Sequence, residues 1–162
     1  MEEDLLKGSF TLVIIRHAHR NKDQGSDADN GLSKRGISQS KKIKKYFKYR
    51  FGKASPIVFS SPKLRCVETV ERIAKEYRTQ VEIASLLDEG GNLEQKSSLF
   101  IEEIKNQKAP LICASSHGDL IPALTQKLIG YPIILSKGAW VEFEVIKGKF
   151  FLQWLFQDFD FL

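Results

Sequence analysis

The chain contains three histidines, and two of them stand where an imidazole could act on a substrate. His17 comes directly after the apolar run Leu12 to Ile15 and the charged Arg16. His117 comes shortly after a second apolar run, Leu111 to Ala114, and is followed by Gly118. Arg65 opens an amphipathic segment behind a third run, Pro56 to Ser60, and Asp88 and Glu89 come after a fourth, Val81 to Ala84. Two arginines, two histidines and a carboxylate, once brought together, form a site for a phosphate group. A guanidinium fork matches phosphate oxygens, and each charge-assisted hydrogen bond contributes about 1.5 to 3 kcal/mol. A neutral imidazole can attack phosphorus and carry the phosphoryl group until water removes it. His17 is the candidate nucleophile and His117 a second cationic donor. Glu89, with Asp88 as the alternative, is the candidate acid for the leaving group, a role worth roughly 10² to 10⁴ in rate. With Arg16 and Arg65 supplying countercharge, no metal or other cofactor is expected. His19, Arg20, Ser116 and Asp88 are the candidate substrate contacts.

The elements that would position these residues can be read from periodicity. Thr11 to Ile15, Pro56 to Ser60, Val81 to Ala84 and Leu111 to Ala114 read as strands, the longer runs covered on both faces. Between them the spacing predicts helices over Ser33 to Tyr49, from Ser61-Pro62 through Tyr77, and over Leu93 to Asn106; another, through Leu120, Leu124 and Leu128, is stopped by Gly130. Ser61 is placed as N-cap and Pro62 as first helical residue. Trp140 to Val145 and Phe150 to Leu155 read as a hairpin turning at Lys147-Gly148. The expectation is an α/β protein, a three-layer α/β/α sandwich with a mainly parallel central sheet and an antiparallel C-terminal edge hairpin, forming one domain over residues 1–162. In such sheets ligands bind beyond the carboxyl ends of the strands, where Arg16, His17, Arg65, Asp88, Glu89 and His117 fall.

Other chemistries compete for the same residues. His17, His19 and His117, with Asp119 nearby, resemble a zinc ligand set, which would make a metal-dependent hydrolase. A fixed Arg16 charge beside a divalent cation argues against it. Cys66 and Arg72 have the C-x5-R spacing of cysteine phosphatases, but the segment has helical periodicity, no glycine and two glutamates. A pocket that holds a phosphorylated partner without turning it over is the non-enzymatic alternative.

Composition bounds the rest. With 42% hydrophobic and 28% charged residues in 162, the chain is a soluble globular domain rather than a disordered or disulfide-built one. No apolar run reaches the roughly 20 residues of a membrane span, and Glu2, Glu3 and Asp4 stand where a signal peptide carries positive charge. Two cysteines without metal spacing suit a reducing compartment, so the expected location is cytoplasmic. Eight basic residues and no acidic one lie between Lys34 and Arg50; without that stretch 17 basic residues face 20 acidic ones. The basic balance thus belongs to one helix, read as a solvated face in preference to a nucleic-acid site. Phe150, Phe151, Trp154 and Phe156 read as sheet packing. The apolar tail Phe159 to Leu162 reads as docking on the body or in a homodimer contact.

At these residues the chain resembles the histidine phosphatase superfamily, which also holds the cofactor-dependent phosphoglycerate mutases. Arg16-His17-Ala18 is similar to its R-H-G or R-H-A signature, Leu32 to Gly36 to L-[ST]-x-x-G, Ser60 to Thr69 to S-S-P-x-x-R-x-x-x-T, and Ser115 to Gly118 to S-H-G. The resemblance implies a phosphohistidine intermediate on His17, with Arg16, Arg65 and His117 completing the phosphate pocket. His19 departs from the glutamate many members carry there. Only 28 residues separate Glu89 from His117, room for one helix and no capping segment. That is similar to the short SixA-like phosphohistidine phosphatases, and the expected partner is a phosphorylated substrate presented on a large body, such as a phosphoprotein.

Overall fold

β1 (Phe10–Arg16), β2 (Ile57–Ser60) and β4 (Leu111–Ser116) lie in the middle of the sheet because their runs are apolar on both faces. β1 buries Leu12 and Ile14 in one core, and Val13 and Ile15 in a second on the other side of the sheet. It pairs in parallel with β4, and β4 pairs in parallel with β2, which pairs with β3 (Val81–Ile83). β5 (Trp140–Ile146) runs antiparallel to β1 and turns into β6 (Lys149–Phe156), giving the order β3-β2-β4-β1-β5-β6. The turn at Lys147-Gly148 has φ of 51° and 76°, the double positive pair of the hairpin turn that matches strand twist. This computed structural model describes residues 8–158, so the acidic N-terminus and the tail Phe159 to Leu162 lie outside the described residues.

α1 (Lys34–Phe51) and α2 (Leu64–Glu76) cover one face through Ile43, Phe47, Val70 and Ile73. α3 (Leu93–Lys105) and α4 (Leu120–Ile129) cover the other through Phe100, Ile104, Leu120 and Leu124. The chain steps outward from β1 to β2 to β3, then returns to β4 and β5. The helices change faces when the direction reverses, as right-handed crossovers require. No helix among the described residues is long and apolar enough to cross a membrane.

Two expectations need correction, the start of α2 and the packing of β6. α2 begins at Leu64 after an N-cap at Lys63, not at Pro62. Ser61 does not cap it: its hydroxyl accepts from the Lys63 amide and turns toward His117. On β6 only Phe150 and Phe156 pack against the cores, while Phe151 and Trp154 remain 46% and 42% exposed on the edge strand. The basic stretch on α1 is partly neutralised. Lys44 and Lys48 pair with Glu76, and Arg50 makes a two-point contact of 2.6 and 2.7 Å with the buried Glu142.

Candidate active site

The parallel strands bring the predicted groups to one edge of the sheet. His17 follows β1, Ser61 follows β2, Asp88 and Glu89 follow β3 and a short 3₁₀ turn (Ser85–Leu87), and His117 follows β4. Backbone bonds lock the edge together: His17 N–H donates to Ser116 O at 3.0 Å and Ser61 N–H to Ser115 O at 3.0 Å.

His17 is buried and its Nδ1 donates to the Ala18 carbonyl at 2.9 Å. That bond fixes the tautomer and leaves the lone pair on Nε2. Burial, with His117, Arg65 and Arg16 nearby, pushes its pKa down to about 3 against the Ala18 bond, so the ring is neutral at physiological pH. The turn that carries it is tied to α2 by Thr69, which accepts from the Ala18 amide at 2.9 Å and donates to the Arg65 carbonyl at 2.7 Å. One threonine thus ties the turn of His17 to the arginine one helical turn before it.

Arg16 donates to the Leu135 carbonyl at 2.8 Å, and its Nε is a buried donor with no acceptor among the described residues. Its guanidinium lies flat against Gly118: a Cβ there would stand 2.7 Å from Cζ. Arg65 is fully buried, donating to the Asp27 carbonyl and to Glu89 Oε1, each at 2.7 Å, and its Nε also has no acceptor among the described residues. Buried donors in excess of acceptors are what an anion site presents. Glu89 is the ion-pair partner of Arg65, while Glu68 on the same helix serves elsewhere, accepting from the Leu32 amide at 3.2 Å.

His117 sits 5.5 Å from the His17 ring, centroid to centroid. Its Nε2 is 2.7 Å from Ser61 Oγ and 3.5 Å from Asp88 Oδ1, and its Nδ1 is 3.6 Å from Glu89 Oε2. Burial first, then Arg65, lowers its pKa to about 4, while Asp88 and Asp119 act in the opposite sense.

The two carboxylates are used differently. Asp88 accepts from the Glu89 amide at 2.9 Å and from Ser61 at 3.3 Å, and lies 3.8 Å from Lys63. These contacts hold it beside His117 at the edge of the site. Glu89 is 37% exposed and spans Arg65 and His117 at the rim. Ser116 as a substrate contact is corrected: it is fully buried and donates to the Leu87 carbonyl at 2.6 Å, holding the 3₁₀ turn that presents Asp88 and Glu89. His19 turns away to Ser33 Oγ at 2.6 Å and lines a neighbouring cavity with Gln39 and Lys137. Arg20 pairs with Asp27 at 3.0 Å and Asn30 at 3.3 Å, fastening the loop 21–30 whose Asp27 carbonyl rests on Arg65.

This placement separates His19 from His17 and His117, and among the described residues no group of three His, Cys, Asp or Glu side chains could hold a metal ion. Cys66 and Arg72 both lie within α2, and burial pushes the Cys66 thiol up to about 12, so the C-x5-R spacing forms no anion loop. Cys66 does border the site, its sulfur 3.4 Å from His117 Nε2. Sequence reasoning missed Ser61 as a partner of His117, the Leu135 carbonyl as the anchor of Arg16, and the bonds of Asp119, which caps α4 and accepts from the Gly90 amide at 2.8 Å. The Ser61-Pro62 pair and the His-Gly-Asp sequence were the available signals for two of these; a backbone carbonyl leaves none.

Solved structures share this arrangement of the chain. The protein histidine phosphatase SixA, complexed with tungstate, is 21% identical, with a TM-score of 0.78 over 91% of this chain and 97% of its own. The alpha-ribazole phosphatase from Shigella flexneri is 17% identical, with a TM-score of 0.78 over 93% and 97%. A phosphoserine phosphatase mutant from Entamoeba histolytica, in complex with phosphoserine, is 17% identical, with a TM-score of 0.73 over 94% and 99%. No curated protein sequence matches the chain. The family model of the histidine phosphatase superfamily (branch 1) matches residues 12–99, more than half of the chain and three of the four motifs around the site, and the chain therefore belongs to that superfamily.

Proposed function

We propose that the protein is a metal-independent phosphatase that works through a covalent phosphohistidine on His17. The observation that carries this is the 2.9 Å bond from His17 Nδ1 to the Ala18 carbonyl, which leaves Nε2 as a fixed, unprotonated nucleophile beside two guanidinium groups. In the first step the Nε2 lone pair forms a bond to phosphorus as the bond to the leaving atom breaks. Arg16, Arg65 and a protonated His117 hold the equatorial oxygens, and Glu89 gives its proton to the leaving group. In the second step water attacks the same phosphorus, the Nε2–P bond breaks, Glu89 takes the water proton, and inorganic phosphate leaves.

The substrate class is a phosphorylated protein side chain, with phosphohistidine as the specific candidate. What supports it is the short path from Glu89 to His117, which contains α3, β4 and their connections and no segment to enclose a small ligand. The fold likeness to the protein histidine phosphatase SixA points the same way. An imidazole leaving group also needs less acid help than an alkoxide, which suits a carboxylate already shared with Arg65.

The test is hydrolysis of p-nitrophenyl phosphate in excess EDTA by wild type and His17→Ala, followed by a phosphohistidine peptide and a set of sugar phosphates. Turnover that survives EDTA, vanishes in the variant and is fastest on the peptide is expected. Loss of turnover in EDTA refutes the metal-free chemistry, and a strong preference for sugar phosphates refutes the substrate class.

A further inference from the structure

The nucleophile's own backbone carries a second cationic group. The amide of Gly138 bonds the carbonyls of Arg16 and His17, each at 3.1 Å, and the carbonyl of Ala139 accepts from the Arg16 amide at 3.1 Å. The preceding residues are fixed from the other side. Gln157 accepts from the Ser136 amide and donates to the Ile134 carbonyl, both at 2.9 Å, while Leu135 holds Arg16. Lys137 is therefore the apex of a turn clamped to β1 at one end and to the end of β6 at the other. Its Cα is one peptide unit from an amide bonded to His17.

We infer that Lys137, with Lys22 beside it, binds an acidic side chain next to the phosphorylated residue of a protein substrate. The inference rests on the phosphoprotein reading above. Lys137 shares a cavity of about 410 Å³ with His19, Arg35, Gln39 and Asp158. The groups acting on its ammonium are all cations, Lys22, Arg16, Arg20 and Arg35; together with burial, the larger cause, they lower its pKa below the ordinary lysine value. Asp158 is the acidic group of the cavity wall, and Asp27 is engaged by Arg20. Among the described residues no carboxylate lies within ion-pair distance of Lys137 or Lys22. Lys137 is not among the groups that hold a single phosphate, Arg16, Arg65 and His117, and a second anion one residue away meets its charge. A flexible lysine on a held backbone suits a carboxylate whose position varies between substrates.

The experiment compares two phosphohistidine peptides that differ only in Asp or Asn beside the phosphorylated residue, and reads the ratio of kcat/KM within each enzyme variant. Wild type is expected to favour the Asp peptide about 5-fold, on the scale of one partly exposed ion pair. The ratio is expected to fall to about 1 in Lys137→Gln, to invert in Lys137→Glu and to recover in Lys137→Arg. A second arm measures inhibition of p-nitrophenyl phosphate hydrolysis by inorganic pyrophosphate relative to inorganic phosphate, which needs no protein substrate. An Asp preference that survives Lys137→Gln overturns the assignment, as does an equal ratio in wild type. A pyrophosphate advantage that depends on Lys137 with no difference between the peptides also overturns it, in favour of a small bis-anionic ligand. Failure to cleave either peptide while p-nitrophenyl phosphate is hydrolysed overturns the phosphoprotein reading itself, and this inference with it.

Discussion

Gly118→Ala tests whether Arg16 grips phosphate from the place it occupies here. The backbone at Gly118 needs no left-handed conformation, so the added methyl acts through space alone. Its Cβ would meet Cζ of Arg16 at 2.7 Å, Nη2 at 2.9 Å and Nε at 3.0 Å. Carbon contacts settle near 3.5 Å, so the guanidinium must retreat by about 0.8 Å. Its freedom to do so is limited, because Nη1 is held by the Leu135 carbonyl on the segment bonded to β1. A shift of that size breaks at least one charge-assisted hydrogen bond to a transferring oxygen, at about 1.5 to 3 kcal/mol. At 1.4 kcal/mol per decade the loss in kcat/KM is about 10- to 150-fold. Steady-state hydrolysis of p-nitrophenyl phosphate measures it, with thermal melting and circular dichroism to show that the fold is intact. A folded Gly118→Ala enzyme within 2-fold of wild type refutes the placement of Arg16 on the substrate. Arg16→Lys should show a comparable loss, since a point charge cannot replace the fork.

Three further outcomes follow from the site. Glu89→Gln keeps a hydrogen bond to Arg65 but removes the proton. It should leave p-nitrophenyl phosphate, whose leaving group departs as a stable anion, within about 10-fold of wild type, while a phosphoserine peptide slows by about 10² or more; the same pattern in Asp88→Asn instead would reverse the assignment of the two carboxylates. His17 and His117 have folded pKa values of about 3 and about 4 against an ordinary 6.5. Below pH 6.5 the unfolded chain takes up two protons that the folded one refuses, so stability is full above pH 6.5 and is lost as pH falls. The loss between pH 6.5 and 5.5 is about 2 kcal/mol for the two groups, read by urea melts, and His17→Asn or His117→Asn should roughly halve the slope. Thr69→Val keeps the shape but orphans the buried Ala18 amide and should lower stability by about 1 to 3 kcal/mol, a melting-temperature drop of several degrees.

Much of this site could be read from the sequence because strand ends are strong signals. An apolar β-branched run that stops at Arg16 or before His117 marks both the strand and the edge where a ligand can sit. The motif residues then prove to be fastenings as well as chemistry. Ser33 caps α1 by accepting from the Gly36 amide at 3.1 Å, and Gly36 is glycine because a Cβ would lie 1.9 Å from the His19 carbonyl. What escaped the sequence was the direction of side chains in turns. Ser61-Pro62 has the composition of a helix start, yet the chain stays extended through Lys63, which frees the Ser61 hydroxyl for His117. Ser116 and His19 flank catalytic candidates, but alternation along β4 sends Ser116 inward, and the turn after β1 sends His19 to Ser33. The contacts of Leu135 and Gly138 join positions more than 110 residues apart and pass through backbone atoms, so no side-chain pattern announces them.

The acid segment, poor as a motif, becomes intelligible once His117 is in place. A buried imidazole next to Arg65 resists protonation, yet a donor to phosphate must carry a proton on the nitrogen it offers. Here Asp88 and Glu89 face opposite ring nitrogens at 3.5 and 3.6 Å, and Ser61 bridges one of them to Asp88. When a phosphate dianion arrives, its charge adds to that of Asp88 and favours the imidazolium. Glu89 lies 2.7 Å from Arg65 and 3.6 Å from His117, at the rim where a leaving group would depart. An alkoxide leaving there needs a proton more than an imidazole does. The arrangement therefore predicts that Glu89→Gln will raise the ratio of phosphohistidine to phosphoserine turnover by about the factor by which it slows the phosphoserine peptide. Equal slowing of both peptides would mean that the imidazole leaving group needs the acid as much as the alkoxide does, and would refute the reasoning.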